Sequence, residues 1–235
     1  MDLLRHLELD TGADPVGTII WMHGLGADGW DFVPIVRELP LPQDVALRFI
    51  FPHAPMRAVT INNGMDMRAW YDIKMNDISR LPDEGGIRGS QAAVERLIAR
   101  EIDRGIEATR IVLAGFSQGG AIALQTGLRH ANRLGGIVAL STYLPLESSL
   151  EAEASPANRA TPIFMAHGTD DPIVPIKLAE VSRSSLEGRG YEVEWHTWPM
   201  PHSVCGPELE AIGAFLGRVY GGGARPARSS ILLPY

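Results

Sequence analysis

Short, nearly unbroken apolar runs recur along the chain: "VGTIIWM" (16–22), "LRFIFP" (47–52), "RIVLAG" (110–115), "GIVALS" (136–141) and "PIFMAH" (162–167). They are rich in β-branched residues and do not alternate with polar ones. Such runs predict strands covered on both faces, as in a parallel sheet. "YEVEWHTW" (191–198) alternates more and predicts a further strand nearer an edge. Between the runs the period changes. In "GSQAAVERLIAREIDRG" (89–105), Val94, Leu97, Ile98 and Ile102 share one helical face, and Glu95, Arg96, Arg100 and Glu101 are expected toward water. Ser90 fits an N-cap there and Gly105 a stop. Residues 118–130, 175–190 and 207–220 predict three more helices.

Strand and helix alternate to the end, which predicts one α/β domain over 1–220 with a mostly parallel central sheet and helices on both faces. Two stretches break the rhythm. Residues 53–89 are rich in Pro, Gly, Asn and Met and read as a long excursion over the sheet, the kind of loop that is often functional. Residues 221–235, "GGGARPARSSILLPY", read as a flexible tail.

Composition narrows the function classes. With 235 residues, 45% hydrophobic and 21% charged, the chain buries a full core without disulfides or a structural metal. The single cysteine, Cys205, excludes an intramolecular disulfide and a multi-cysteine metal site. A net charge of −7 and the lack of a dense Lys/Arg block argue against nucleic acid. The start, "MDLLRHLELD", does not read as a secretory signal, and no apolar run reaches the roughly eighteen residues of a membrane span, so the expected address is the cytoplasm.

Candidate chemistry centres on Gly115-Phe116-Ser117-Gln118-Gly119, a G-x-S-x-G match between a predicted strand and a predicted helix. A sharp strand-to-helix turn forces strain on the serine and needs small flanking residues, because the two backbones nearly touch. The hydroxyl then stands beside the N–H groups of a helix N-terminus. A helix N-cap serine would need less. A serine nucleophile needs a base, and the base an orienting acid, in the chain order Ser, acid, His. "MAHGTDDPIVP" supplies Asp170 and Asp171, and Pro172 favours Asp171 by holding it extended. His202, in the loop "WPMPHSVCGPELE", is favoured as base over His196, which lies within a strand pattern. His130 reads as a helix-dipole partner, His167 as a residue behind the acid, and Cys205 as a small packed side chain. Oxyanion donors are expected from the Gln118 N–H and, after strand 16–22, from Leu25 in His23-Gly24-Leu25-Gly26, with His23 bracing that loop. A nucleotide-phosphate turn does not fit, since neither G-x-G-x-x-G spacing nor a Walker lysine is present.

These residues together resemble the phospholipase/carboxylesterase family of α/β-hydrolases, which includes acyl-protein thioesterases and small bacterial carboxylesterases. The matching stretches are "HGLGADGWDF", "FPHAPMRAVTINNGMDMRAWYDI", "VLAGFSQGG", "GIVALSTYLP", "HGTDDPIVP" and "PHSV", spread over about residues 16–217. The resemblance implies an α/β-hydrolase fold without a separate cap domain. It implies Ser117, Asp171 and His202 as a triad and Leu25 and Gln118 as oxyanion donors. It also implies an open site that takes esters or thioesters, with no metal or organic cofactor. Trp70, Tyr71, Met75, Ile173 and Val174 are expected groove walls. The leading expectation is a carboxylesterase for short-to-medium acyl chains. A thioesterase or lysophospholipase with the same triad is the near alternative. A non-catalytic hydrolase-fold binding protein is the distant one, disfavoured because no catalytic element is missing.

Overall fold

A computed structural model describes residues 3–41, 44–75 and 80–221, without the side chains of 75, 80 and 81. Its centre is a seven-stranded sheet: β1 (His6–Asp10), β2 (Gly17–Met22), β3 (Leu47–Pro52), β8 (Ile111–Phe116), β9 (Gly136–Leu140), β10 (Ile163–Gly168) and β11 (Val193–Trp198), in the order β1-β3-β2-β8-β9-β10-β11. All neighbours are parallel except β1, which runs antiparallel to β3. Each unbroken apolar run feeds both faces at once, because successive side chains point to opposite sides. Ile19 and Trp21 of β2 enter one core and Ile20 and Met22 the other, all at most 1% exposed.

Helices α2 (Glu84–Asp103), α3 (Gln118–Arg129), α4 (Glu147–Glu153) and α5 (Ile176–Gly188) cover the Ile20 side through residues such as Val94, Leu97, Leu124, Leu150 and Leu186. Helices α1 (Ile35–Glu38) and α6 (Gly206–Tyr220) cover the Ile19 side through Ile35, Ile212, Phe215 and Leu216. Each wholly buried aliphatic side chain in these layers contributes about 2 kcal/mol. The excursion over 53–89 holds a hairpin of β4 (Met56–Val59) and β5 (Met65–Arg68), a small pair of β6 (Lys74–Met75) and β7 (Arg80–Leu81), and the start of α2. The tail expected over 221–235 lies, beyond Gly221, outside the described residues.

Three local expectations are corrected. Helix α2 begins at Glu84, with Asp83 at its N-cap, and Ser90 is buried inside it, its hydroxyl donating to the Trp70 carbonyl. Glu101 does not face water: it is wholly buried and accepts from Thr18 Oγ1 (2.9 Å), Arg48 (3.3 Å) and Arg104 (3.0 Å), which pair its charge. His130 does follow α3, but burial lowers its pKa, so it favours the neutral form over a charged dipole partner.

Candidate active site

The joint between β8 and α3 places Ser117 at φ 56°, ψ −120°, outside the regions a non-glycine residue prefers. The surroundings hold it there. Its N–H donates to Leu140 O (2.9 Å), and its carbonyl accepts from Thr142 Oγ1 (2.7 Å) and Ala121 N (3.1 Å). The flanking glycines are sterically required: a Cβ on Gly115 would lie 2.3 Å from the Gly119 backbone, and one on Gly119 would lie 2.2 Å from Met22 O.

The candidate acid and base follow the ends of β10 and β11. Asp171 is buried and Asp170 exposed. Asp171 Oδ1 accepts the N–H groups of Ile173 (2.8 Å) and Val174 (2.9 Å), which fixes the carboxylate. Its Oδ2 lies 2.6 Å from His202 Nδ1. With Nδ1–H donating to the carboxylate, His202 keeps the lone pair of Nε2 for another proton. The loop carrying His202 crosses the end of β10 at Gly168, where a Cβ would lie 2.2 Å from Met200 O. His202 also rests against Phe116, with ring centroids 4.6 Å apart. His167 is buried behind the acid, its Nε2 2.8 Å from Val174 O and 3.4 Å from Asp171 Oδ2. His196 lies in β11, stacked on Phe164 and Trp198.

Leu25 follows β2 in a turn closed by Gly26 at φ 78°, whose N–H donates to Arg68 O (2.9 Å). Among the described residues the N–H groups of Leu25 and Gln118 have no acceptor, and Gln118 opens α3, where N–H groups lack intrahelical partners. His23 braces this loop. Its Nδ1–H donates to Gly24 O (2.7 Å), and its Nε2 accepts from Ala54 N (3.0 Å). That pattern requires a neutral ring, and burial pushes its pKa down to about 4.

Ser117, His202, Leu25 and Gln118 line one cleft of about 550 Å³. Tyr71, Ile173 and Val174 also line it, together with Ile61, Phe116 and Tyr143. Trp70 does not: it is wholly buried behind the wall, its indole N–H donating to His23 O (2.8 Å). The side chain of Met75 lies outside the described residues. The Gln118 side chain has a role the sequence did not suggest. Its Oε1 accepts from Trp70 N (3.0 Å) and its Nε2 donates to Tyr71 O (2.9 Å), tying the excursion to the serine turn. Among the described residues no group of three His, Cys, Asp or Glu is placed to hold a metal ion.

The fold and this site define an α/β-hydrolase. The phospholipase/carboxylesterase family profile matches residues 8–220. The chain is similar to acyl-protein thioesterase 1 of Neurospora crassa, 46% identical over 209 residues that cover 85% of each protein. It is also similar to acyl-protein thioesterase 1 of Gibberella zeae, 43% identical over 85% of this chain and 88% of that protein. Among solved structures, Arabidopsis thaliana SOBER1 superposes with a TM-score of 0.81 at 31% identity, over 86% of this chain and 98% of that one. Zea mays acyl-protein thioesterase 2 gives 0.81 at 26% identity, over 92% and 99%. The chain belongs to the phospholipase/carboxylesterase family and is a serine hydrolase. No helix among the described residues is long and apolar enough to cross a membrane.

Proposed function

We propose that the chain hydrolyses carboxylic esters through an acyl-enzyme on Ser117. The observation that carries this reading is the 2.6 Å Asp171–His202 contact at the cleft that Ser117 also lines. Ser117 Oγ attacks the ester carbonyl while His202 Nε2 takes its proton, and the Asp171 carboxylate stabilises the imidazolium. The N–H groups of Leu25 and Gln118 receive the negative charge that develops on the carbonyl oxygen. The tetrahedral adduct expels the alcohol, which leaves with the proton from His202. Water then attacks the acyl-enzyme, giving up a proton to His202, and the carboxylic acid and free Ser117 are released.

A second reading, hydrolysis of thioesters on acylated proteins, is favoured by the names of the relatives, four of which are acyl-protein thioesterase 1 at 38–46% identity over most of the chain. The same residues serve it, with a thiol leaving. Ser117→Ala is expected to lower kcat on p-nitrophenyl butyrate by roughly a thousandfold or more, and a fluorophosphonate probe to label Ser117 alone. Undiminished turnover or label elsewhere refutes the nucleophile. Matched oxygen esters and thioesters, from acetyl to palmitoyl, separate the two readings by kcat/KM.

A further inference from the structure

Among the described residues the wall of the cleft is apolar or neutral apart from His202 and one carboxylate, that of Asp31. Among the described residues neither lysine nor arginine lines it. Asp31 is carried to the rim by a fixed support. Its N–H donates to Asp28 O (3.2 Å) in a turn. The next residue, Phe32, stacks on Trp21 at 5.5 Å and meets Phe116 at 5.9 Å. Phe116 precedes Ser117 and contacts His202, so the row Trp21–Phe32–Phe116–His202 sets Asp31 in register with the reacting groups.

The carboxylate itself is uncompensated. Among the described residues no hydrogen bond or ion pair reaches its side chain. The charged group acting on it is another acid, Asp28, which caps Trp30 N (2.8 Å). Asp31 is exposed at the rim, where the desolvation imposed by the cleft wall, and then Asp28, raise its pKa above the ordinary carboxylate value. A cation beside Asp31 relieves both effects, and apolar walls strengthen the attraction.

We propose that Asp31 makes this cleft select substrates that carry a positive charge, such as an ammonium group, within a few atoms of the scissile carbonyl. The proposal rests on the ester-hydrolase reading of the cleft. It concerns which esters are taken, not how they are cleaved.

The test compares butyrylcholine with its uncharged isostere, 3,3-dimethylbutyl butyrate. The native protein is expected to show a higher kcat/KM for the cationic ester. Asp31→Asn is expected to lower the cationic-to-neutral ratio about tenfold. Raising the ionic strength is expected to shrink the ratio in the native protein much more than in the variant. Glu187→Gln removes the same charge from the far end of α5 and is expected to keep the native ratio within about twofold. An equal ratio in native protein and Asp31→Asn overturns the inference, as does an equal drop in Glu187→Gln, which would place the preference in the net charge. If Ser117-dependent hydrolysis of the neutral ester is itself absent, the ester-hydrolase reading fails and this inference falls with it. Hydrolysis of the neutral ester without a charge preference overturns only the inference.

Discussion

Glu208 sits wholly buried in the first turn of α6, a few residues past His202, and neither of its carboxylate oxygens has a hydrogen-bond partner among the described residues. Burial pushes its pKa up to about 7 from an ordinary 4.5; the Cys205 N–H offsets part of this without reaching hydrogen-bond geometry. The sign follows from linkage. The folded state holds a proton that the unfolded chain has lost, so this group's contribution is fully present below pH 4.5 and is lost as pH rises through about 7. The whole swing is about 3 kcal/mol. His23 acts in the opposite direction: its folded pKa of about 4 against 6.5 removes stability as pH falls through that window. Urea midpoints at pH 5 and pH 8 are therefore expected to differ between native protein and Glu208→Gln. The variant should lose the fall in stability toward pH 8 that Glu208 causes. Parallel pH dependence in the two proteins would contradict this account.

At the level of elements, glycines distinguish contacts that cannot move from space that is free. A methyl on Gly119 meets the carbonyl oxygens of Met22 and His23 at 2.2 and 2.7 Å, both backbone atoms at the end of β2. Gly119→Ala is expected to cost about 2–3 kcal/mol and to lower kcat by shifting the Leu25 loop. Gly89, inside α2, has nothing within 4 Å of its added Cβ. Gly89→Ala is expected to stabilise by about 0.5–1 kcal/mol. Thermal unfolding of the two variants reads both signs. The six apolar or alternating runs were legible as strands because a strand buried on both faces shows itself locally. Strand β1 is not: its inward Leu7 and Leu9 alternate with His6, Glu8 and Asp10 over only five residues, too short a pattern to stand out. The start of α2 was hidden for a related reason. Gly85, Gly86 and Gly89 resemble a loop by propensity, and tertiary packing of Ile87 and Ser90 overrides that.

Across the whole molecule, the serine turn and the excursion form one unit through a single amide. Gln118→Leu removes the buried acceptor of the Trp70 N–H, at about 1–3 kcal/mol, and a donor to the Tyr71 carbonyl. The variant is expected to lose stability and kcat together, since Trp70 also holds the carbonyl of His23 beside the Leu25 turn. A variant with native kcat and a lowered melting point would separate the amide from the chemistry. This link was illegible beforehand because 48 positions separate Gln118 from Trp70 and no local pattern records the pairing. Ser117, by contrast, announced itself through its immediate neighbours. Asp171 and His202 were preferred on local grounds, and the contact between them spans 31 positions. An aromatic residue reads alike in a wall and behind it, so the sequence does not distinguish the buried position of Trp70 from one in the cleft.

The contact between Phe116 and His202 also offers a way to observe this imidazole directly. Protons held 4–5 Å from a phenyl ring, as the 4.6 Å centroid separation implies here, feel its ring current. Replacing Phe116 by leucine should therefore move the imidazole resonances of His202 in a proton NMR spectrum, which identifies them with no substrate in the tube.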